Sequence, residues 1–126
     1  MNKEELAKFF TEQPDWRWVP GIRWTAEAYG TEGRIEDDED AATWNSLPEG
    51  ELPDITDPAT IGGIVQVVAE AHGCTLNDVS VVRTTGGVWS VWIHTSDTAS
   101  HRVAAYLPSR VEALAMALQN GGKKNE

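Results

Sequence analysis

The chain has 126 residues, enough for one domain that buries roughly two thirds of its unfolded surface and needs no disulfide staples. Its single cysteine, Cys74, excludes an internal disulfide, and the charged N-terminus contains no apolar run of the length that a signal peptide or a membrane span requires. The formal net charge of −10 argues against direct attraction to nucleic acid or anionic membranes, so we expect neither as a partner.

The negative charge is distributed unevenly along the chain. Residues 1–56 contain 14 acidic and 5 basic side chains, a net charge of −9, whereas residues 57–126 contain 6 acidic and 5 basic side chains, a net charge of −1. We therefore interpret residues 1–56 as an acidic, tryptophan-rich layer of the same domain, residues 57–119 as its core and residues 120–126 as a frayed tail. A molecule charged in this way is steered towards basic surfaces.

The N-terminal residues predict a short helix followed by a hairpin. Asn2 is placed to cap a helix over Lys3–Glu12, which Pro14 ends. From Trp16 to Trp24, large apolar residues alternate with charged residues around a Pro-Gly turn, which is typical of a β-hairpin. The three tryptophans of this segment either pack into the domain or form a patch for a partner, and we expect them to be buried.

Five consecutive carboxylates form the most acidic part of the sequence: Glu36, Asp37, Asp38, Glu39 and Asp40. Their mutual repulsion predicts a solvated loop, followed by one helical turn around Trp44. The run lacks the spacing of a calcium-binding EF-hand, so no metal site is predicted here. Two prolines and a glycine in residues 48–56 indicate a surface linker.

The second half of the chain predicts the fold most clearly. Asp57 and Pro58 are typical of a helix start, and apolar residues at helical spacing continue to His72. The glycine pair at positions 62 and 63 predicts close approach of another backbone. Strands are predicted at residues 79–84, 88–95 and 102–107, and a capping box at Ser109 begins a final helix. The predicted fold class is α+β, with a three-stranded antiparallel meander, two helices on one face, and an N-terminal helix and tryptophan-rich hairpin.

Two helices cover only one face of such a sheet. Strand alternation places Trp92, His94, Arg102 and Tyr106 together on the other face. We expect the tryptophan-rich N-terminal segment to cover this face, with a second copy of the chain or a partner as the alternatives. The same four residues form an alternative ligand surface, since the aromatic rings are able to stack on a base.

Candidate catalytic and metal-binding groups do not assemble into a recognisable motif. His94 and His101 flank a loop containing Asp97, which are donor types that zinc uses, but no third ligand has recognisable spacing. Cys74 and His72 straddle a helix end without an oxyanion hole nearby. We therefore predict no catalytic residue, no metal and no cofactor.

The order helix, three-stranded meander, helix over residues 57–119 resembles the double-stranded RNA-binding domain. That family grips phosphates with a basic cluster at the start of its second helix. The matching residues here, Ser109 to Glu112, contain one cation and one anion. The resemblance therefore implies the helix, meander, helix topology of that domain, but it does not imply RNA binding.

A second resemblance covers roughly the C-terminal half of the chain. The segment from Pro53 to Gly62, with the sequence PDITDPATIG, is followed by an apolar helix, a tryptophan-bearing strand and a closing helix that contains Glu112-Ala113-Leu114. This pattern resembles a group of small phage and prophage proteins of unassigned function. The resemblance implies a viral origin, and small accessory phage proteins commonly bind and disable host machinery, including DNA-targeting defence.

These observations lead to two functional hypotheses. The first is a non-enzymatic inhibitor in the host cytoplasm that presents Glu36 to Asp40, as a DNA mimic, to a basic groove on a host protein. The alternative is a binding protein that sequesters a nucleotide signal, with Trp92, Tyr106, Arg102 and His94 as the ligand surface. A virion or assembly component is a third hypothesis, and it predicts stable oligomers.

Overall fold

The computed structural model describes residues 2–26, 30–46, 50–96 and 99–122. These residues form four α-helices and two three-stranded antiparallel sheets, which confirms the predicted α+β class. The elements, in chain order, are α1 (Lys3–Glu12), β1 (Arg23–Ala26), β2 (Thr31–Arg34), α2 (Asp38–Asn45), β3 (Leu52–Pro53), α3 (Pro58–Ala71), a short 3₁₀ helix (Leu76–Asp78), β4 (Val79–Arg83), β5 (Trp89–Ser96), β6 (Ala99–Leu107) and α4 (Arg110–Gly122).

The main sheet has the strand order β4-β5-β6, the predicted meander. Helices α3 and α4 pack against it, and Val91 and Ile93 of β5 are buried beneath them. Local signals explain both helices, since Asp57 accepts the Thr60 N–H at 2.9 Å and the Ser109 hydroxyl accepts the Glu112 N–H at 3.1 Å. Helix capping by Asp57 and Ser109, together with the alternation of residues in the strands, therefore accounts for the α-β-β-β-α core.

Strand β6 differs from its prediction in length and in alternation. It begins at Ala99, within the predicted loop, because Ala99 pairs with Ser96 across the hairpin. Its register with β5 shifts, so that Val91 lies opposite Ala104 but the next β5 residue lies opposite Arg102. These β-bulges turn Ala104 into the core, whereas strict alternation had placed it on the face of Arg102.

The predicted hairpin around Pro20-Gly21 is wrong. Residues 16–22 contain no strand, and the hairpin of the N-terminal half consists of β1 and β2, with β3 on the other side of β1. The Asn45 side chain takes the place of a strand partner for Trp18, since it accepts the Trp18 N–H at 2.6 Å and donates to the Trp18 carbonyl at 2.9 Å. The predicted linker also contains structure, because β3 pairs Pro53 with Trp24.

The N-terminal tryptophans pack against one another, but the expectation of burial holds in full only for Trp18, since Trp16 and Trp24 are half-buried. Consecutive rings lie with centroids 5.4 Å apart for Trp16 and Trp18, 5.4 Å for Trp18 and Trp44, and 4.7 Å for Trp44 and Trp24. Phe10 of α1 extends the row, with its ring 5.9 Å from that of Trp16. This aromatic row joins α1, β1 and α2 into one layer.

The N-terminal layer covers the helices, whereas the sequence predicted that it covers the second face of the main sheet. Ile22 packs against Gly63 of α3, and the Arg23 N–H donates to the Thr60 hydroxyl at 2.8 Å. Arg34 binds Asp57 with two hydrogen bonds of 2.8 and 3.1 Å. Helices α3 and α4 thus lie between the N-terminal layer and the main sheet, since α3 and its cap receive these contacts and α1 packs against α4.

The second face of the main sheet, which we call the open face, is consequently accessible. Tyr106 is 64 % exposed and Val82 is 41 % exposed on this face. Among the residues that the structure describes, no helix is long and apolar enough to cross a membrane. The predicted frayed tail, residues 120–126, is wrong for residues 120–122, because α4 continues to Gly122, and residues 123–126 lie outside the described residues.

Candidate binding surfaces

The acidic run forms the start of a helix, so the predicted solvated loop is wrong. The Asp37 carboxylate caps α2 by accepting the Asp40 N–H at 2.8 Å. The Asp40 carboxylate accepts the Glu36 N–H at 3.0 Å. The free N–H groups and the positive end of the helix dipole favour carboxylates in the first turn, and this attraction outweighs their mutual repulsion.

The run remains strongly negative at the surface. Four of the five residues are exposed and Asp40 is half-buried. The ion pairs of the described residues involve other carboxylates, so no cation neutralises this run within that part of the chain. Capping occupies the Asp37 and Asp40 side chains, whereas Glu36, Asp38 and Glu39 project from the helix start with no described side-chain partner. This arrangement attracts a basic surface.

The open face carries a cluster of one arginine between two aromatic rings. The guanidinium carbon of Arg102 lies 4.8 Å from the centroid of the Tyr106 ring and 5.6 Å from that of the Trp92 ring. Its Nη1 donates to the Tyr106 hydroxyl at 3.0 Å. The cation–π contacts hold the guanidinium against the two rings, and a guanidinium has four N–H groups besides the one that binds the Tyr106 hydroxyl. The structure thus brings together Trp92, Arg102 and Tyr106, as strand alternation predicted.

Tyr106 adopts a backbone conformation that a tyrosine rarely has. Its φ angle is 62°, in the left-handed region, and it lies where the register of β6 shifts against β5. Such a conformation costs on the order of 1–3 kcal/mol and persists only where the surroundings impose it. The bulge aims the ring over Arg102. Backbone strain of this kind is commonly found at functional sites.

His94 lies on the same face, but both of its ring nitrogens are already engaged. Nε2 is 2.7 Å from the Ser80 hydroxyl and Nδ1 is 2.7 Å from the Ser100 hydroxyl. Sequence reasoning missed both serines, although the register of the three strands, once known, places them beside His94. Among the described residues no group of three or more histidine, cysteine or carboxylate side chains is arranged for a metal ion.

The two surfaces lie in different layers of the molecule. Helix α2 belongs to the N-terminal layer, and the Arg102 cluster lies beyond α3 and α4 on the open face. Comparison of the chain with protein families, curated proteins and solved structures finds no significant match.

Proposed function

We propose that the chain is a non-enzymatic accessory protein that binds and inhibits a host protein. The contact is the acidic start of α2, presented to a basic surface of the partner. The observation that carries this proposal is that no ion pair in the described part of the chain involves Glu36 to Asp40. The resemblance to small phage proteins supports the class of partner.

The helical start of α2 strengthens the DNA-mimic version of this proposal. A helix places successive residues about 1.5 Å apart along its axis, and duplex DNA carries one charge per about 1.7 Å of axis. The three carboxylates inside α2, Asp38, Glu39 and Asp40, are therefore spaced along the axis much as phosphate charges are in a short stretch of duplex. Because the capping bonds fix the backbone, little conformational freedom is lost when a partner binds.

Neutralising the projecting carboxylates tests the proposal. We expect the combined substitutions Glu36→Gln, Asp38→Asn and Glu39→Gln to weaken binding about tenfold at low salt, because each exposed charge contributes up to about 1 kcal/mol. Asp37 and Asp40 are left unchanged, since they cap the helix. The readout is the dissociation constant for the bacterial protein that the chain recovers from lysate, at low and high salt.

A matched control carries the same change in net charge elsewhere. The substitutions Glu4→Gln, Glu12→Gln and Asp15→Asn alter α1 and the turn that follows it, outside the acidic run. We expect this control to bind within about twofold of the unmodified chain, because its changes remove only long-range attraction. Equal affinities of both triple variants, or an affinity that salt leaves unchanged, would contradict the electrostatic contact.

A second candidate function is supported by the Arg102 cluster. An exposed ring beside a guanidinium offers stacking to a base and hydrogen bonds to a phosphate. On this hypothesis the chain sequesters a nucleotide signal on the open face. We expect nucleotides to quench tryptophan fluorescence in the unmodified chain and in Trp44→Phe, but not in Trp92→Phe. Quenching that survives in Trp92→Phe would exclude the open face as the binding surface.

A further inference from the structure

The two edges of the main sheet differ in how they are protected. The β6 edge is interrupted by register shifts and by the left-handed Tyr106, and the Asn120 side chain donates to the Val103 carbonyl at 2.6 Å. The β4 edge pairs with β5 in an unbroken register and carries one charge, Arg83, at its end. Bulges and charges are the usual protection of an edge strand against pairing, so β4 is the edge left open to it.

The hydrogen bonds show which backbone groups of β4 point outward. The Thr84 N–H donates to the Val88 carbonyl at 2.9 Å, across the turn to β5. Because antiparallel pairing alternates, Ser80 and Val82 also face β5, whereas Val81 and Arg83 direct their N–H and C=O groups away from it. No backbone partner for these outward groups lies in the described part of the chain.

Exposed apolar side chains accompany this edge. Within the described residues the exposed large hydrophobic side chains are Leu76, Val82 and Tyr106. Leu76 is 49 % exposed in the short helix that leads into β4, and Val82 is 41 % exposed in β4 itself. Two of the three thus lie beside the unpaired backbone groups.

We propose that β4 pairs antiparallel with β4 of a second copy of this chain, about a twofold axis at Val81. In this register Val81 lies opposite its own copy and Val79 lies opposite Arg83. The Val79 N–H already donates to the Leu76 carbonyl, so its carbonyl alone is available to accept from Arg83. The pairing forms four backbone hydrogen bonds, two between the Val81 residues and two from Arg83 to Val79.

Charge and symmetry favour a second copy as the occupant. A twofold axis perpendicular to the sheet joins two meanders into one six-stranded sheet, with all helices on one side. The register places no like charges opposite each other, and it sets Arg83 of one copy opposite Val79, one residue from the acidic Asp78 of the other copy. The acidic run lies in the N-terminal layer, on the far side of α3, so its repulsion is screened at this edge.

Oligomeric state and hydrogen exchange of the full chain test the pairing. Sedimentation equilibrium is expected to give twice the chain mass, with dissociation on dilution. In the dimer the Val81 and Arg83 amides are expected to exchange at least about tenfold more slowly than in the dilute monomer. Val81→Pro removes an outward N–H while leaving the β5 ladder intact, and it is expected to give monomers.

A cysteine pair reports the register even if Val81→Pro fails to fold. Ser80 and Val82 of opposite copies form a non-hydrogen-bonded pair with Cα atoms about 4.5 Å apart, which suits a disulfide. The double variant Ser80→Cys with Val82→Cys is expected to cross-link under oxidation. The single variant Val82→Cys, which retains Cys74, is expected to remain uncross-linked.

A chain that is monomeric at all concentrations overturns the proposal, as does a dimer without this cross-link. Protection of the Val81 and Arg83 amides only on addition of another protein assigns the edge to a different partner and also overturns it.

Discussion

Replacing Asp57 by alanine is expected to lower the free energy of unfolding by about 2 kcal/mol. The Asp57 carboxylate caps α3 through the Thr60 N–H and receives both terminal nitrogens of Arg34. An N-cap contributes about 1 kcal/mol and a hydrogen bond to a charged group contributes about 1.5–3 kcal/mol before solvent screening. Screening lowers the second contribution, since the Arg34 side chain is 42 % exposed although that of Asp57 is only 15 % exposed.

Two further substitutions separate the cap from the ion pair. Asp57→Asn retains a good N-cap but loses the charge, so it is expected to cost less than alanine. Arg34→Gln removes the partner and leaves the cap in place. Denaturant unfolding of the single and double variants gives the coupling energy of the pair. If Asp57→Ala unfolds like an ordinary surface variant, the contact does not hold the N-terminal layer to α3.

Because of the same contact, the difference in stability between the unmodified chain and Asp57→Asn is expected to depend on pH. The two hydrogen bonds from Arg34, with those from Thr60, hold the pKa of Asp57 well below the ordinary value of 3.8, although partial burial opposes this. A carboxyl group with a lowered folded pKa contributes its stability in full above the unfolded pKa and loses it as the pH falls. The difference in melting temperature is therefore expected to be constant near neutral pH and to shrink below about pH 4. A difference of the same size at pH 7 and in strong acid would contradict this account.

Sequence reasoning succeeded where the determining interactions are local. The caps at Asp57 and Ser109 and the alternation of β5 depend on residues a few positions apart, and they gave the α-β-β-β-α core. The loop prediction for the acidic run was wrong because it considered only repulsion between the carboxylates. The helix dipole, which attracts carboxylates to the first turn, offsets that repulsion. Sequence reasoning also misplaced the hairpin, because the partner that satisfies Trp18 is a side chain 27 residues away.

For the candidate surfaces, too, the sequence predicts the features that depend on local patterns and not those that depend on distant contacts. Alternation placed Trp92, His94, Arg102 and Tyr106 on one face, which the structure bears out. Their contacts depend on the bulge in β6, which no local pattern predicts. The layer order also lay beyond local patterns, because it depends on how Ile22 meets α3. The inhibitor and nucleotide hypotheses stay predictions. The open face is accessible, whereas the sequence predicted that the N-terminal segment covers it.

Alanine substitution of the adjacent glycines in α3 is the other change with a large expected effect on stability. The effect has opposite signs at Gly63 and Gly62. A Cβ at Gly63 would lie 2.6 Å from Cγ1 of Ile22, a fully buried side chain. The close approach is thus to a side chain, whereas the sequence suggested another backbone. Overpacking of a core costs about 1–3 kcal/mol, against a gain of about 1 kcal/mol in helix propensity. Gly63→Ala is therefore expected to destabilise the chain by up to about 2 kcal/mol.

Gly62→Ala is the matched control, because it makes the same chemical change one residue earlier. Gly62 is exposed, and a Cβ there meets no atom within 4 Å. Only the propensity gain remains, so this variant is expected to be more stable by up to about 1 kcal/mol. Chemical denaturation of both variants measures the contrast. Stabilisation by alanine at both positions would mean that the N-terminal layer does not press against α3 through Ile22, and the layer order would then be wrong.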